Sequence, residues 1–512
     1  MERFFSGFLV KIRKIKPCVW FWLGLVVLFI VWAFMQFHQL ERAFNITYDF
    51  AQYGFAMLNW RTTGDVPLLG PHSAYLVNYI PPLYYWLIYP AYLLSNGSPF
   101  YNHIACFVYT WIILLGLALV LCKRPKYRWS YLLLIALFCF NPLILHDRVN
   151  FVWNPSYVWQ PMVVAWYCLA LASQSKRRIL LCVIGGIACA ISMSLNLLVV
   201  PVVIGFLVIS ILRLRKYVWA WLMGLLVAVS IFWLPVFIAG GKVIPDYNSA
   251  SGQFGQFATR LRTVVAVPLI GFRSYAQYNY SKYDHIIAYG FLLVIFVFCF
   301  RKNWRQNLFE SNFGQLSIAL IISTIITLIP KIEIVWHYTT GLTIIIILLL
   351  VNLPRRIKLV ACSLLLSWWL VLPFFNLKIL RRVDLSSINT CLSQVCKYVS
   401  ANQYYYALYT AAAIGIMDIE VPTYLLALAG CVPTNGQYLS PYPTDVSEVN
   451  HSYPLLVLHD LDTLAPELWW PNSKTNHYYI VLKTTLDKLY SQPVASAECD
   501  GDWGWTLYTR ND

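Results

Sequence analysis

The groups in this chain that could move a proton or hold an anion lie between its apolar runs, not inside them. Asp49, Asp65, Asp147, Arg148, Asp246, Arg260, Arg262, Arg273, Asp284, Lys331, Glu333 and His337 all fall in segments 38–103, 146–156, 240–285 and 331–337. A carboxylate so placed can take a proton from an alcohol held within hydrogen-bond reach. Arginines nearby can fork onto two oxygens of an anion and stabilise charge that gathers on a leaving group. Asp49 is the sharpest of these candidates. It stands near the start of Tyr48-Asp49-Phe50-Ala51-Gln52-Tyr53-Gly54-Phe55-Ala56-Met57-Leu58, where apolar residues recur at helical spacing. The helix dipole keeps a carboxylate ionised at that end, although capping is the common role of an Asp there. Taken singly, each of the other residues is also what an ordinary solvated loop would hold.

Two further sets of residues have metal or redox chemistry available to them. Glu333 and His337 are spaced Glu-x-x-x-His, which puts both on one helical face, but no third ligand is spaced nearby and no metal is assigned. Of the 13 cysteines, nine lie in or beside apolar runs, where Cys behaves as a small hydrophobe. The other four, Cys391, Cys396, Cys431 and Cys499, fall in the tail from residue 377. An even set in an oxidising compartment predicts two disulfides, with the pairing open.

The elements that must position these groups follow from composition. Of 512 residues, 59% are hydrophobic, 17% aromatic and only 12% charged, against roughly 25% charged in soluble domains. That density cannot coat a water-facing surface of this size, so a soluble globular enzyme is excluded, and abundant aromatics exclude a disordered chain. Eleven runs are apolar enough to span a bilayer: 19–37, 104–122, 129–145, 157–173, 179–195, 197–212, 217–239, 286–300, 314–330, 338–353 and 359–376. A crossing takes about 20 residues. None of the runs contains Asp, Glu, Lys, Arg or His, which weighs against an ion pathway or proton relay. The pair 179–195 and 197–212 can turn only at Asn196.

Basic residues gather in every second short connection: Lys11–Lys16, Lys123–Arg128, Lys176–Arg178, Arg213–Lys216, Arg301–Arg305 and Arg355–Lys358. Positive loops stay cytoplasmic, so the N-terminus is expected inside and the C-terminus outside. The net charge of +16 is thereby a topology signal, with no nucleic-acid meaning. The first apolar run reads as a retained anchor rather than a cleaved signal. Residues 1–376 form the transmembrane part, with its first outer loop at 38–103. Residues 377–512 mix apolar stretches such as Pro454–Leu458 and His477–Leu482 with turn clusters, which predicts a small mixed α/β domain on the outer face.

The first outer loop holds an ordered set of motifs. After Asp49-x-x-x-Tyr53 come Gly64-Asp65-Val66-Pro67, Gly70-Pro71, and then Pro81-Pro82-Leu83-Tyr84-Tyr85-Trp86-Leu87 before the second span. The aromatics of the last piece form an interfacial belt on a re-entrant or surface-lying helix. The second outer loop reads Asp147-Arg148 … Trp153-Asn154-Pro155-Ser156. This order resembles the polyprenyl-phosphate-sugar-dependent glycosyltransferases of GT-C fold, the glycosyltransferase family 39-like group of protein O-mannosyltransferases and the aminoarabinose transferase of lipid A. The resemblance covers about the first 175 residues. The chain departs from it in two places: Tyr79-Ile80 stand where the aminoarabinose branch has an acidic-basic pair, and Trp153-Asn154-Pro155 stand where many relatives have an Asp.

The resemblance implies an enzyme of the bacterial cytoplasmic membrane that moves one sugar from a polyprenyl phosphate to a hydroxyl on the outer face, with inversion. Asp49 would be the base and Asp147 a second acidic residue. Arg260, Arg262, Arg273, Lys331 and His337 would hold the donor phosphate, and Tyr53, Tyr84, Tyr85, Arg148, Asn154 and Trp336 would line the substrates. The acceptor could be lipid A or lipopolysaccharide, another envelope glycan, or a protein. The resemblance leaves a divalent cation open. Rival readings are a lipid-linked saccharide flippase or exporter, an O-antigen-type polymerase or ligase, and a structural assembly protein.

Overall fold

The computed structural model describes residues 16–38, 48–71, 79–98, 100–149, 152–241, 265, 269, 290, 291, 293, 297, 308–328, 339–376, 406–410, 455–460, 492–499 and 503–509. The helices, in chain order, are α1 (Pro17–Phe37), α2 (Tyr48–Thr63), α3 (Leu83–Leu94), α4 (Tyr101–Leu121), α5 (Pro125–Phe140), α6 (Pro142–Val149) and α7 (Trp159–Ala172). They continue with α8 (Arg178–Leu195), α9 (Val200–Leu214), α10 (Val218–Ile238), α11 (Asn312–Leu328), α12 (Thr340–Asn352) and α13 (Arg355–Asn376). The strands are β1 (Tyr406–Thr410), β2 (Leu455–Asp460), β3 (Gln492–Cys499) and β4 (Trp503–Thr509). Two compact units emerge: Met1–His38 with Val66–Ile379, and Gln39–Asp65 with Leu380–Asp512.

The first unit is a helical bundle built to sit in a bilayer. α12 is buried from Thr340 to Val351, and α7 is buried along nearly its whole length. Helices that are apolar all round belong in an interior. At 14 and 13 residues, α7 and α12 are short of a full crossing, and protein surrounds them. The outer helices carry apolar side chains outward as well as inward. Val19, Leu23, Val26, Ile30 and Phe34 of α1 and Met223, Leu226, Leu234 and Phe237 of α10 are exposed. An apolar exterior of this extent is one that lipid covers. The stretches Pro17–Phe37, Tyr101–Leu121, Arg178–Leu195 and Leu197–Ile238 are long and apolar enough to cross a membrane. The chain is a polytopic helical membrane protein.

Close helix contacts rest on glycines. A Cβ on Gly186 of α8 would meet the Trp221 carbonyl oxygen of α10 at 2.0 Å, and one on Gly224 of α10 would meet the Val183 oxygen of α8 at 2.3 Å. With lipid as apolar as the side chains, such close backbone approach is what drives helix association in a membrane.

Most of the expected spans coincide with helices to within a few residues. The turn at Asn196 is present, and its side chain accepts the Leu198 N–H at 2.8 Å before Pro201 opens α9. The expected span 129–145 needs correction. α5 stops at Phe140, Asn141 is extended at φ −60° and ψ 123°, and α6 begins at Pro142. The residue before a proline is driven out of the helical region, and the Asn141 side chain caps the new helix by accepting the Ile144 N–H at 3.2 Å. Of the expected span 286–300, only residues 290, 291, 293 and 297 are described, and all four are helical.

The bundle has two chemically different ends. At one, the turns after α4, α7, α9 and α12 are joined. Gln174 donates to the Tyr127 hydroxyl at 3.2 Å, and the Arg178 guanidinium lies 5.9 Å from the Tyr217 ring centre. Arg213 donates to Asn312 and Gln315, its guanidinium 4.8 Å from the Trp166 ring centre. Asn312 in turn donates to Asn352 at 3.1 Å. This end carries the basic connections. The opposite end, hereafter the rim, gathers the C-terminus of α1, the N-terminus of α4, α3, the turn before α7 and the α8–α9 turn.

In the second unit, α2 buries Phe50, Tyr53 and Met57, one face at helical spacing. The four strands form one sheet in the order β1-β2-β4-β3. β1 and β2 are parallel, and the other pairs are antiparallel. β2 takes up the apolar stretch expected at 454–458, whereas the stretch at 477–482 lies outside the described residues.

Candidate active site

The first rim loop is closed on itself by its prolines and one glycine. Gly70 N–H donates to the Ile80 oxygen at 2.9 Å, and Ile80 N–H donates to the Pro71 oxygen at 3.0 Å. Gly-Pro and Ile-Pro-Pro, ten residues apart in sequence, thus clasp each other through their backbones. No side chain is tolerated at Gly70, since a Cβ would lie 2.1 Å from the Pro81 oxygen. One turn into α3, the Trp86 indole donates to the Pro67 oxygen at 3.2 Å, so Pro67 is tied to the same clasp.

A buried hub joins that loop to the second one. The Asn102 side-chain amide, at the start of α4, donates to the Tyr84 hydroxyl at 2.6 Å and to the Val152 carbonyl. The Tyr157 hydroxyl donates to the Asn102 side-chain oxygen at 2.8 Å and lies 3.0 Å from its backbone oxygen. Tyr84 and Tyr157 meet edge to face at 5.4 Å. Asn102, Tyr84 and Tyr157 are all fully buried. Residues 154–157 form a 3-10 turn, whose Ser156 oxygen accepts from the Gln160 amide at 3.1 Å. That same amide reaches Thr110 of α4 at 2.7 Å. Asn154 donates to the Leu195 oxygen at 2.7 Å, binding the turn to the end of α8. On α1, Gln36 donates to the His103 oxygen at 2.9 Å and accepts from Trp32 at 3.1 Å. Trp32 stacks on Trp159, and Trp159 on Phe138.

These contacts place the residues singled out in the sequence as follows. Tyr84 and Tyr85 are buried in the first unit, and Asn154 is half-buried at the α8 end. Asp49 lies in the first turn of α2, one turn before the buried Tyr53, in the second unit. Asp147 and Arg148 lie on α6. Of Asp49, Asp147 and Arg148 only the backbone is described. Arg260, Arg262, Arg273, Lys331, Glu333, Trp336, His337, Cys391, Cys396 and Cys431 lie outside the described residues. Cys499 is the last residue of β3, in register with Trp503. Among the described residues, no three His, Cys, Asp or Glu side chains come together as metal ligands.

Of the hub residues, Tyr84 was singled out in the sequence as a substrate-lining residue, whereas Asn102, Tyr157 and Gln160 were not. Their signal was present: Asn102-His103 is a polar pair heading an apolar run, and Gln160 is a lone amide within another. Polar groups at membrane depth are costly unless they are bonded to something specific.

No family model matches the chain, and no curated protein matches it. Among solved structures, it is similar to ArnT from Cupriavidus metallidurans. The crystal structure of ArnT bound to undecaprenyl phosphate aligns with a TM-score of 0.58 at 12% identity, covering 96% of this chain and 98% of that one. The apo crystal structure of ArnT aligns with a TM-score of 0.58 at 13% identity, covering 94% and 98%. At these identities the likeness is one of fold. The chain has the GT-C architecture that the order of its motifs points to.

Proposed function

We propose that this chain is an integral-membrane glycosyltransferase that moves a monosaccharide from a polyprenyl-phosphate donor to a hydroxyl acceptor. The observation that carries the reading is the fold shared with ArnT over 96% of the chain, together with the order of motifs on the two rim loops. The undecaprenyl phosphate of that relative supplies the model for the donor. The rim is then the outer, periplasmic face of a bacterial cytoplasmic membrane, and the basic connections face the cytoplasm.

The chemistry follows from the residue types. The acceptor oxygen attacks the anomeric carbon, the bond from that carbon to the phosphate oxygen breaks, and polyprenyl phosphate departs. A single displacement of this kind inverts the anomeric centre. The phosphate is a good leaving group and needs no general acid. The acceptor hydroxyl loses its proton to Asp49, whose place in the first turn of α2 favours the ionised form. Arg260, Arg262 and Arg273, with Lys331 and His337, are the cations proposed to meet the charge on the leaving phosphate. Asp147 is the second acidic residue. Lipid A or lipopolysaccharide, an envelope glycan, or an exported protein is the acceptor class.

The test is Asp49→Asn, assayed in membranes with labelled polyprenyl-phosphate sugars. Glycan or protein mass is read for the added sugar, and the lipid fraction for released polyprenyl phosphate. Loss of a general base lowers turnover about 10²–10⁴-fold, with purified yield and thermal midpoint unchanged. Wild-type membranes that move labelled donor across the bilayer without forming any glycosylated product would make the chain an exporter and overturn the reading.

A further inference from the structure

The end of the bundle remote from the rim carries a cation cluster that no part of the proposed reaction uses. α8 begins at Arg178, with Arg177 as its N-cap. α10 begins at Val218, directly after Arg215, Lys216 and Tyr217. The two helix starts lie side by side. The Arg178 guanidinium is 5.9 Å, and the Lys216 ammonium 5.2 Å, from the centre of the one Tyr217 ring. Arg177, Arg178, Arg215 and Lys216 are all exposed.

Like charges collected from two separate connections repel each other, and neither connection carries an acid of its own to neutralise them. There is no Asp or Glu anywhere between Asp147 and Asp246, and neither helix has an acid in its first turn. The two adjoining helix N-termini add further positive potential. Arg213, at the same end, shows the contrast. Its guanidinium is taken up by Asn312 and Gln315 and faces Trp166. Among the described residues, Arg178 hydrogen-bonds through its Nε, which donates to the Ser175 oxygen at 3.1 Å, and its terminal nitrogens remain for another acceptor. The turn between α9 and α10 is also forced: Arg215 has φ of +42°, a region that residues other than glycine seldom occupy. Immediately beside the cations, Ile179, Leu180, Trp219 and Met223 are about half exposed and apolar.

We propose that the start of α8 and the α9–α10 turn form a binding site for an anionic glycerophospholipid of the surrounding leaflet. Its phosphate lies among Arg177, Arg178, Arg215 and Lys216, and its acyl chains lie along Leu180, Trp219 and Met223. Basic pockets between membrane helices recognise such headgroups. A free phosphate would satisfy the cations but leave the adjoining apolar residues without use, whereas a lipid satisfies both. The site is independent of whatever reaction proceeds at the rim.

The experiment uses the purified full-length protein in phosphatidylcholine nanodiscs doped with phosphatidylglycerol, with protein-bound lipid counted by native mass spectrometry. Wild type retains phosphatidylglycerol in preference to phosphatidylcholine. A charge-assisted hydrogen bond to a phosphate is worth at least about a ten-fold factor, so Arg178→Gln with Lys216→Gln lowers that retention about 100-fold. Lys123→Gln with Lys126→Gln removes the same charge from the same end and leaves it unchanged. Equal thermal midpoints in pure phosphatidylcholine show that both variants are folded. Equal loss in the two variants, or no preference in wild type, overturns the proposal by reducing the effect to the leaflet's general potential. Displacement of the lipid by millimolar glycerol 3-phosphate overturns it in favour of a soluble-phosphate site.

Discussion

Asn102→Leu is the sharpest test of how the rim is held together. The substitution keeps the side chain close in size and removes both its donor and its acceptor. Two groups lose a partner: the Val152 carbonyl and the Tyr84 hydroxyl. The Tyr157 hydroxyl loses the side-chain oxygen at 2.8 Å but keeps the backbone oxygen at 3.0 Å. A polar group orphaned in an interior costs about 1–3 kcal/mol, so loss of the partner of the Val152 carbonyl alone gives roughly 1–3 kcal/mol. Hydrogen bonds between membrane helices are weaker when measured by pairwise cycles, averaging about 0.6 kcal/mol with a maximum of about 1.7 kcal/mol. Three such bonds give a floor of about 2 kcal/mol, and the two routes agree at that value. The assay is the thermal midpoint of the detergent-purified protein for wild type, Asn102→Leu, Tyr157→Phe and the double variant. Asn102→Leu is expected to lower the midpoint well beyond Tyr157→Phe. The double variant should lose less than the sum, because one bond is shared. Strict additivity, or an Asn102→Leu cost below about 0.5 kcal/mol, which is the scale of an ordinary surface change, would refute the hub.

The remaining predictions concern glycines. Gly70→Ala forces a methyl to within 2.1 Å of the Pro81 oxygen, so the Gly70–Ile80 clasp must open. Limited proteolysis at Tyr79–Trp86 should then be faster in the variant than in wild type, and an unchanged rate would count against the clasp. Gly186→Val puts a branched side chain 2.0 Å from the Trp221 oxygen and should abolish recovery of folded protein, whereas Gly116→Ala, with nothing within 4 Å, should be tolerated. Equal yields from the two would show that α8 and α10 do not need their close approach.

What could be read from the sequence depended on which force set each feature. The spans were legible because a bilayer leaves few ways to satisfy a backbone, and the Asn196 turn was legible because one polar residue separated two apolar runs. The break at Asn141-Pro142 was not, since Leu143, Ile144 and Leu145 continue the apolar pattern past it and hydropathy is blind to a local backbone restriction. α3 illustrates another limit. Its aromatics read as an interfacial belt, and the pattern did not reveal that Tyr84 and Tyr85 are buried, because amphipathic rings suit an interface and a core alike. The hub escaped notice for a related reason: Asn102 stands 18 residues from Tyr84 and 50 from Val152, and no local spacing connects them.

That separation gives the order of the motifs a physical meaning. Pro-Pro-Leu-Tyr and Trp-Asn-Pro-Ser lie on different loops, each unremarkable alone, and the fold brings both onto the first turn of α4. Tyr84 reaches Asn102 from one loop. The Val152 carbonyl and the Tyr157 hydroxyl reach it from the other. A loop that meets a lipid-borne substrate, as proposed for the rim, cannot be buried under an apolar lid, since the substrate needs the opening. It can instead be fixed from below by neutral hydrogen bonds, which hold geometry without adding charge near a reacting centre. Gln36, Asn102, Gln160 and Asn196 are amides, and each holds a rim segment. An ionised residue in any of these places would need a buried counter-charge and would shift the protonation of any carboxylate working nearby.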